Sequence, residues 1–231
     1  MPDQTELPDQ TELPDQTELP NVLDFWEQQS GRYDEEVDHG LRDATAREAW
    51  RSRLAQWLPE GPSDLLDLGC GTGSLSRLAL DAGHRVVGVD LAPGMVDQAR
   101  AKCPEGRFVV GDAALPPVGE QRFDVVLARH LLWTLPDPHA VLARWASLVH
   151  PGGRLVLVEG RWWPASRGVV TPYAQGSEAM PWQGGVRAED LVAALDPLVE
   201  RLEVVCLSGD AALWGRAVDD ERYAVVARTA A

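Results

Sequence analysis

Short apolar runs alternate with longer amphipathic stretches along most of this chain. Five of the runs have the length and composition of buried strands. They lie at residues 64–68, 85–89, 107–110, 123–128 and 154–159. The stretches between them carry apolar residues at helical spacing, as in residues 137–149, where Val141, Leu142 and Trp145 share one face. Strands that alternate with helices form a parallel sheet covered on both faces. The pattern therefore predicts an α/β fold with a doubly wound sheet.

The two ends of this region depart from the alternation. Two more strand patterns, at 203–208 and 222–228, are joined by a connection too short for a crossover helix, which predicts that they pair antiparallel. They complete a sheet of seven strands that is mainly parallel, with the last strand antiparallel. Before the first strand, residues 43–58 have an amphipathic helical pattern. We therefore predict an N-terminal helical cap over residues 21–62 and a main domain over residues 63–231.

The extreme N-terminus has a composition of its own. Residues 2–19 repeat the hexapeptide Pro-Asp-Gln-Thr-Glu-Leu three times. The period is far shorter than that of solenoid repeats, and its regular prolines and unbroken negative charge cannot form a packed core. We predict that residues 1–20 are a disordered tail.

Charge and length narrow the choice of partner. The chain has 231 residues, and 36 acidic against 21 basic residues give a formal net charge of −15. The acidic excess argues against nucleic acid as a partner, because phosphate binding requires basic surfaces. No apolar run is long enough to span a bilayer, and the N-terminus has no signal-peptide pattern. We therefore expect a cytoplasmic protein that binds a small molecule and has no membrane partner.

The cysteines and histidines do not have the spacing of a metal site. Cys70, Cys103 and Cys206 form no paired motif, and no two histidines lie within three to five residues of each other. The sequence thus predicts neither metal ligands nor a disulfide.

The first strand leads into a glycine-rich turn that reads Asp67-Leu-Gly-Cys-Gly-Thr-Gly73. Glycines allow a tight turn that a ligand can approach, and the following helix N-terminus favours a carboxylate or a phosphate. Asp90 ends the next strand, where its carboxylate can reach the ribose hydroxyls of a nucleoside. A dinucleotide motif needs its third glycine where Ser74 stands. Asp67, which would repel a phosphate, suits a ligand with an ammonium group.

Five pieces of the chain resemble the class I S-adenosylmethionine-dependent methyltransferases. They are Asp67-Leu-Gly-Cys-Gly-Thr-Gly73, Val89-Asp90, Gly111-Asp112-Ala113, Phe123-Asp-Val-Val126 and His150-Pro-Gly-Gly-Arg154. Each piece alone is weakly specific, but their order and spacing make the resemblance specific over residues 22–231. It implies a Rossmann-like methyltransferase fold and S-adenosylmethionine as the cofactor, with S-adenosylhomocysteine as the product.

The resemblance also implies which residues hold the methionine part of the cofactor. Asp67 would hold it together with the backbone of the turn at Gly69, Gly71 and Gly73. Arg129, at the end of the fourth strand, would lie beside the methionyl chain, mainly through its backbone.

The nucleoside part has its own implied contacts. Asp90 would accept hydrogen bonds from the ribose hydroxyls, and Leu91 would pack on the adenine. Asp112 would accept from the adenine amine, near the backbone N–H of Ala113, and loop capping is the alternative role of both acids. Tyr33 lies in a segment similar to one that folds over the cofactor in the ubiquinone-type and small-molecule branch, so it would be a cofactor lid or ordinary cap packing.

The segments after the fourth and fifth strands are candidates for binding the methyl acceptor, because ligands of such sheets bind at the carboxyl ends of strands. Methyl transfer is an in-line displacement at an activated carbon, so alignment can supply much of the rate. A base is needed only when the nucleophile must lose a proton. His130 is the best candidate for a catalytic base, or else it lines the pocket. Glu159 would orient a substrate amine or have no chemical role.

Aromatic residues in irregular segments indicate a flat, apolar or heteroaromatic acceptor. The candidate substrate contacts are Trp26, Trp133, Arg161, Trp162, Trp163 and Trp182. Residues 160–186 form too long a segment for an ordinary connection, and we predict that they are a mobile lid. Trp57 and Trp145, on helical apolar faces, are predicted to be core.

These observations predict an enzyme that methylates a small aromatic or heteroaromatic metabolite, on nitrogen or oxygen, in secondary metabolism. Two alternatives remain open. One is C- or O-methylation of a quinone or lipid-like precursor, and the other is a non-catalytic S-adenosylmethionine-binding module that regulates a partner. A monomer or a homodimer fits each of them.

Overall fold

The computed structural model of this chain describes residues 21–162 and 172–231. The predicted tail at 1–20, Trp163 and part of the predicted lid lie outside the described residues. The strands are β1 (Asp64–Leu68), β2 (Arg85–Asp90), β3 (Arg107–Val110), β4 (Phe123–Arg129), β5 (Val149–Arg161), β6 (Arg201–Cys206) and β7 (Glu221–Arg228). The helices are α1 (Val22–Ser30), α2 (Val37–Gly40), α3 (Ala44–Trp57), α4 (Ser74–Asp81), α5 (Pro93–Lys102), α6 (Pro138–Ser147), α7 (Ala188–Leu195) and α8 (Ala211–Trp214), with 3-10 turns at Tyr33–Glu35, Leu132–Thr134, Ser177–Ala179 and Asp196–Leu198. None of the helices in the described ranges is long and apolar enough to cross a membrane.

The strands form one sheet in the order β3-β2-β1-β4-β5-β7-β6. β1 pairs in parallel with β2 and with β4, and β4 pairs in parallel with β5. β7 runs antiparallel to both of its neighbours. This confirms the predicted seven-stranded, mainly parallel sheet with the last strand antiparallel. The chain order reverses between β1 and β4, and in such sheets ligands bind at that point, beyond the carboxyl ends of the strands.

β5 is longer than its apolar pattern indicates, because it begins at Val149 rather than at residue 154. Val149 pairs with Phe123 of β4, and the register shifts immediately afterwards. Residues 151–153 therefore lie at an irregularity inside the strand. The strand also continues beyond residue 159 to Arg161, because its last residues pair with β7.

Side-chain caps explain where two helices before β1 begin. The Oδ1 atom of Asp43 accepts hydrogen bonds from the backbone N–H groups of Thr45 and Ala46, both at 2.9 Å, so α3 starts just after Asp43. Asn21 caps α1 in the same manner, by accepting from the N–H of Asp24 at 2.9 Å. Helices thus occupy the region predicted as a cap, while the division of the chain into tail, cap and main domain stays a prediction.

An apolar cluster covers each face of the sheet. On one face, Trp145 of α6 is fully buried, and its indole N–H donates to the carbonyl of Ala113 at 2.8 Å. On the other, Trp50 of α3 is fully buried and donates to the carbonyl of Leu213 at 3.0 Å. Trp57 is 3% exposed, so the prediction that Trp57 and Trp145 are core is confirmed.

Candidate active site

The glycine turn lies where the strand order reverses, between β1 and α4. Gly69, Gly71 and Gly73 have φ angles of 64°, 53° and 81°, which glycine adopts without the cost that a side chain brings. The N–H of Gly69 donates to the carbonyl of Val89 in β2 at 2.8 Å. A Cβ atom added at Gly71 would lie 3.3 Å from the Tyr33 ring. The turn therefore presents bare backbone to the space in front of it.

Asp90, at the end of β2, braces this turn. Its Oδ2 accepts a hydrogen bond from the N–H of Gly71 at 2.8 Å, and its Oδ1 accepts one from the N–H of Ala92 at 3.0 Å. Burial raises the pKa of this carboxyl. Each carboxylate oxygen can accept a further hydrogen bond. Asp90 can therefore brace the loop and bind a diol at the same time.

Asp67 lies beneath the turn and is 3% exposed. Its Oδ2 accepts a hydrogen bond from the hydroxyl of Ser76 at 2.5 Å. Burial raises the pKa of Asp67 to about 6. Asp67 lines a small cavity together with Gly69, Gly71 and Arg129. A cationic group in this cavity would stabilise the ionised carboxylate.

A larger cavity, of about 670 Å³ and open to solvent, adjoins the small one. Its lining includes all four residues implied for the nucleoside part of a cofactor, which are Asp90, Leu91, Asp112 and Ala113. Asp112 also accepts from the N–H of Ala114 at 2.8 Å, so it caps its own loop. As with Asp90, capping leaves acceptor capacity for a ligand.

The cap closes over the turn through two neighbouring residues. The Tyr33 ring lines both cavities and stacks on His39, with ring centroids 4.3 Å apart. Burial raises the pKa of Tyr33 to about 12, so the phenol stays protonated. The next residue, Asp34, accepts hydrogen bonds from the hydroxyl of Thr72 and from Nζ of Lys102, the latter at 2.9 Å. These bonds fasten the cap to the glycine turn.

Arg129 also lines both cavities, but its side chain is bound to the cap. Its Nη1 donates to the carbonyl of Asp38 at 2.6 Å, and its guanidinium lies 4.9 Å from the centroid of the Trp50 ring. The Arg129 side chain is thus engaged by the cap, and a contact between its backbone and a methionyl group stays a prediction.

His130 lines the larger cavity in an uncommon backbone conformation, with φ of 54°. Burial, followed by the positive charges of Arg129 and Arg222, places the pKa of His130 well below its ordinary value. The imidazole is therefore neutral, and it is a weak base.

The position of Glu159 favours the second of its two expected roles, that of a residue with no chemical part in the reaction. Glu159 is fully buried beneath the loop that follows β4 rather than among the residues that line the two cavities. Its Oε1 accepts hydrogen bonds from the N–H groups of Leu131 and Leu132, both at 2.9 Å. Burial raises the pKa of Glu159 to about 8. Glu159 therefore holds the loop that carries His130.

An aromatic wall, made of Trp26, Trp133, Trp162 and Tyr173, stands beside His130. Trp133 is central, with ring centroids at 6.2 Å from Trp26, 5.8 Å from Trp162 and 5.1 Å from Tyr173. The Trp162 ring also contacts His130 edge-on at 5.0 Å. Sequence reasoning missed Tyr173, whose only signal is its position in an irregular, aromatic-rich segment. The wall brings together three of the predicted substrate contacts.

Two other predicted substrate contacts lie elsewhere. Nη1 of Arg161 donates to the carbonyls of Gln183 at 3.0 Å and Gly185 at 2.8 Å, so this side chain ties the later part of the predicted lid to β5. Trp182 packs on the apolar cluster of one sheet face and lies 5.7 Å from the His139 ring. Neither residue is among those that line the two cavities.

Comparisons with known proteins identify similar methyltransferases. Residues 66–157 match the family model of a methyltransferase domain. The chain is 30% identical over 132 residues to a malonyl-[acyl-carrier protein] O-methyltransferase of Serratia marcescens, covering 57% of this chain and 49% of that protein. It is 32% identical to a demethylmenaquinone methyltransferase of Renibacterium salmoninarum, covering 60% and 58%, and 39% identical to a nocamycin O-methyltransferase of Saccharothrix syringae, covering 51% and 46%. The chain thus spans about half the length of the curated relatives it matches.

Solved structures share the fold at lower sequence identity. The N-methyltransferase NodS of Bradyrhizobium japonicum, in complex with S-adenosylhomocysteine, is 19% identical with a TM-score of 0.65, covering 88% of this chain and 98% of NodS. The [4+2]-cyclase SpnF is 21% identical with a TM-score of 0.61, covering 79% and 81%. The fold is that of the class I S-adenosylmethionine-dependent methyltransferases. Residues 66–157 match a methyltransferase domain, and the class that shares this fold uses S-adenosylmethionine as its cofactor.

The residues of this chain fit that cofactor. Bare backbone at the turn, acids at Asp67 and Asp90, and an adjoining cavity provide acceptors for an ammonium group and a diol. The N-terminus of α4 faces the same turn and favours a carboxylate.

Cysteine and histidine spacing gave no metal prediction, and the structure nevertheless brings Asp38, His39 and His130 close together.

Proposed function

We propose that this protein is an S-adenosylmethionine-dependent methyltransferase that acts on a small aromatic or heteroaromatic metabolite. One observation carries the proposal. The larger cavity is lined both by candidate cofactor-binding residues and by His130, and the His130 ring contacts Trp162 of the aromatic wall. The family match supports the chemistry, and the small-molecule relatives support the class of acceptor. The fold alone does not, because a cyclase shares it.

Each part of the cofactor has a defined partner in this proposal. Asp67 and the turn at Gly69, Gly71 and Gly73 hold the methionine part, with the Arg129 backbone beside it. When bound, the cofactor supplies an activated methyl carbon. The chain's own contribution is to align the acceptor with that carbon and to exclude water, which can supply much of the rate.

The nucleoside part is held at the other end of the cavity. Asp90 accepts from the ribose hydroxyls, while Leu91, Asp112 and Ala113 surround the adenine. Tyr33 covers the turn from the cap side. Aromatic rings also favour a cationic sulfonium, which explains an aromatic residue at this position.

Turnover with a panel of small phenols, carboxylic acids and amines tests the proposal. The protein is incubated with S-adenosylmethionine and each compound, and mass spectrometry measures S-adenosylhomocysteine and the methylated product. We expect both to form in equal amounts for at least one aromatic member. Saturable cofactor binding without any product from the panel would favour a non-catalytic binding module.

A quinone precursor is the second candidate acceptor. Demethylmenaquinone methyltransferases are among the relatives, at 32% and 35% identity. The aromatic wall would suit a naphthoquinol ring equally well. A demethylated naphthoquinol in the same panel distinguishes the two candidates, since it would be methylated in preference to simple aromatics.

A further inference from the structure

Two histidines from distant parts of the chain meet where the two cavities adjoin. His39 belongs to α2 and lines the small cavity, whereas His130 follows β4 and lines the larger one. With Asp38 they form a group in which one nitrogen of each histidine and one carboxylate oxygen lie within 4.8 Å of one another. Nδ1 of His39 and Nε2 of His130 are buried and have no hydrogen-bond partner among residues 21–162 and 172–231. Buried polar atoms are nearly always paired, so such a cluster points to a ligand.

The backbone holds His130 in a costly conformation at this point. Its φ of 54° lies in the left-handed region, which few residues with side chains adopt. The N–H of His130 donates to the carbonyl of Val158 at 2.9 Å, and its carbonyl accepts from the indole N–H of Trp133 at 2.7 Å. Glu159 fixes the next two residues. Strained residues that the surroundings hold so firmly cluster at functional sites.

Positive charge surrounds the cluster. Arg129 contacts Asp38 through the backbone carbonyl, and no carboxylate lies within salt-bridge distance of Arg129 in the described ranges. Nη1 of Arg222 lies 3.9 Å from the Asp38 carboxylate, and its Nε donates to Asp220 at 2.7 Å. The charges that act on His130 most strongly are those of Arg129 and Arg222. Such a field stabilises an oxyanion beside the cluster.

His39 differs from His130 in having an acid beside it. Its Nε2 lies 3.9 Å from the carboxylate of Asp38, while its ring is fixed by stacking on Tyr33. Burial lowers the pKa of His39. The carboxylate of Asp38 opposes that effect, whereas the charges of Arg129 and Arg222 add to it. An imidazole with a carboxylate near one nitrogen and, among the described residues, no partner within hydrogen-bond distance at the other can take a proton.

We propose that Asp38, His39 and His130 form a pocket for an acceptor with a weakly acidic hydroxyl group, such as a phenol or an enol, and that His39 is its base. The inference rests on the proposed function and assigns the methylated atom as oxygen. The acceptor O–H bond breaks and its proton moves to Nδ1 of His39. The oxygen electron pair forms the bond to the methyl carbon, while the carbon–sulfur bond breaks and its pair stays on sulfur. The imidazolium then releases the proton to water.

Absorbance with 4-nitrophenol as the probe tests this inference, because its phenolate and phenol forms have different spectra. The protein is first saturated with S-adenosylhomocysteine, and calorimetry confirms that the cofactor product is bound. The probe is then added at a pH below the pKa of free 4-nitrophenol. We expect the bound probe to show the phenolate spectrum. Binding should be at least about tenfold tighter than that of 4-nitroaniline, an amine of similar shape, as a charge-assisted hydrogen bond implies.

The variants His39→Gln and His150→Gln provide the matched comparison, since His150 is an exposed histidine outside both cavities. We expect the first to lose the phenolate spectrum and the second to keep it. Equal binding of the amine, or a phenolate spectrum that persists in His39→Gln, would overturn the inference and leave the proposed function intact. Failure of S-adenosylhomocysteine to bind would overturn both. Binding of one Zn²⁺ per chain that His39→Gln abolishes would identify a metal site instead and contradict the inference.

Discussion

The two halves of the candidate active site are built by different means. The cofactor half consists of backbone and short acids at the ends of β1 and β2, and the braces are local, as between Asp90 and Gly71. The acceptor half consists of long side chains from the cap, the loop after β4 and the segment after β5, meeting at the aromatic wall. Its polar groups include buried atoms with no partner in the part of the chain that the structure describes. One half is fixed by the sheet, and the other depends on distant segments packing together.

The largest effect is expected at the buried residue that connects the halves, Glu159. Glu159→Ala leaves the N–H groups of Leu131 and Leu132 unpaired, and we expect a loss of about 2–4 kcal/mol in the free energy of unfolding. Glu159→Gln keeps a carbonyl acceptor and should cost much less. Urea unfolding of both variants measures the difference, and equal stability of Glu159→Ala and the wild type would contradict this role.

The same residue predicts a pH dependence. The pKa of Glu159 is raised to about 8 in the folded protein, because the carboxyl is buried. Between its ordinary pKa and this value, the folded state keeps a proton that the unfolded state releases, so the free energy of unfolding falls as the pH rises through this window. Above it the slope from Glu159 vanishes. Unfolding curves over this range should show the decline in the wild type and a weaker decline in Glu159→Gln.

The cofactor half is tested by comparing its two outer acids. Asp90→Ala removes the diol acceptor and a brace of the turn, and we expect it to weaken binding of S-adenosylhomocysteine by about 1–3 kcal/mol. Asp112 is exposed, so Asp112→Ala should cost less. Calorimetry on both variants measures the ranking. Wild-type affinity in Asp90→Ala would show that the diol lies elsewhere.

The acceptor half is tested by two tryptophans that the sequence places in the same segment. Trp162 contacts His130, whereas Trp182 packs on the core near His139. We expect Trp162→Ala to lower kcat/KM for the true acceptor about tenfold with little change in cofactor affinity. Trp182→Ala should instead lower the melting temperature and leave the folded fraction active. The reverse pattern would move the acceptor site towards Trp182.

The smallest effect is expected at the N-terminal repeat. Its composition cannot form a core, so deletion of residues 2–19 should leave the melting temperature and the affinity for S-adenosylhomocysteine unchanged. Differential scanning calorimetry and a binding titration measure both. A large fall in either value would show that the repeat docks on the domain.

Sequence patterns predicted the part of the sheet that carries the cofactor half, because its geometry follows from strand ends. A strand that finishes at Asp90 beside a glycine turn has one arrangement in a doubly wound sheet, and the order of the strands confirms it. Packing between distant segments has no such local signal. His39 lies in a helix of four residues without a motif, and Glu159 reads as a strand-end acid although it turns inward beneath the loop. Trp162 and Trp182 look alike in sequence and differ only in what they pack against.

The proposed methyltransferase function depends most directly on which nucleoside the site binds. Calorimetry of the purified full chain with S-adenosylhomocysteine and, separately, with NAD⁺ measures it, since both ligands carry a ribose diol that Asp90 could bind. A methyltransferase site predicts a saturable one-site titration with S-adenosylhomocysteine and no binding of NAD⁺. Binding of NAD⁺, or no binding of S-adenosylhomocysteine, would contradict it.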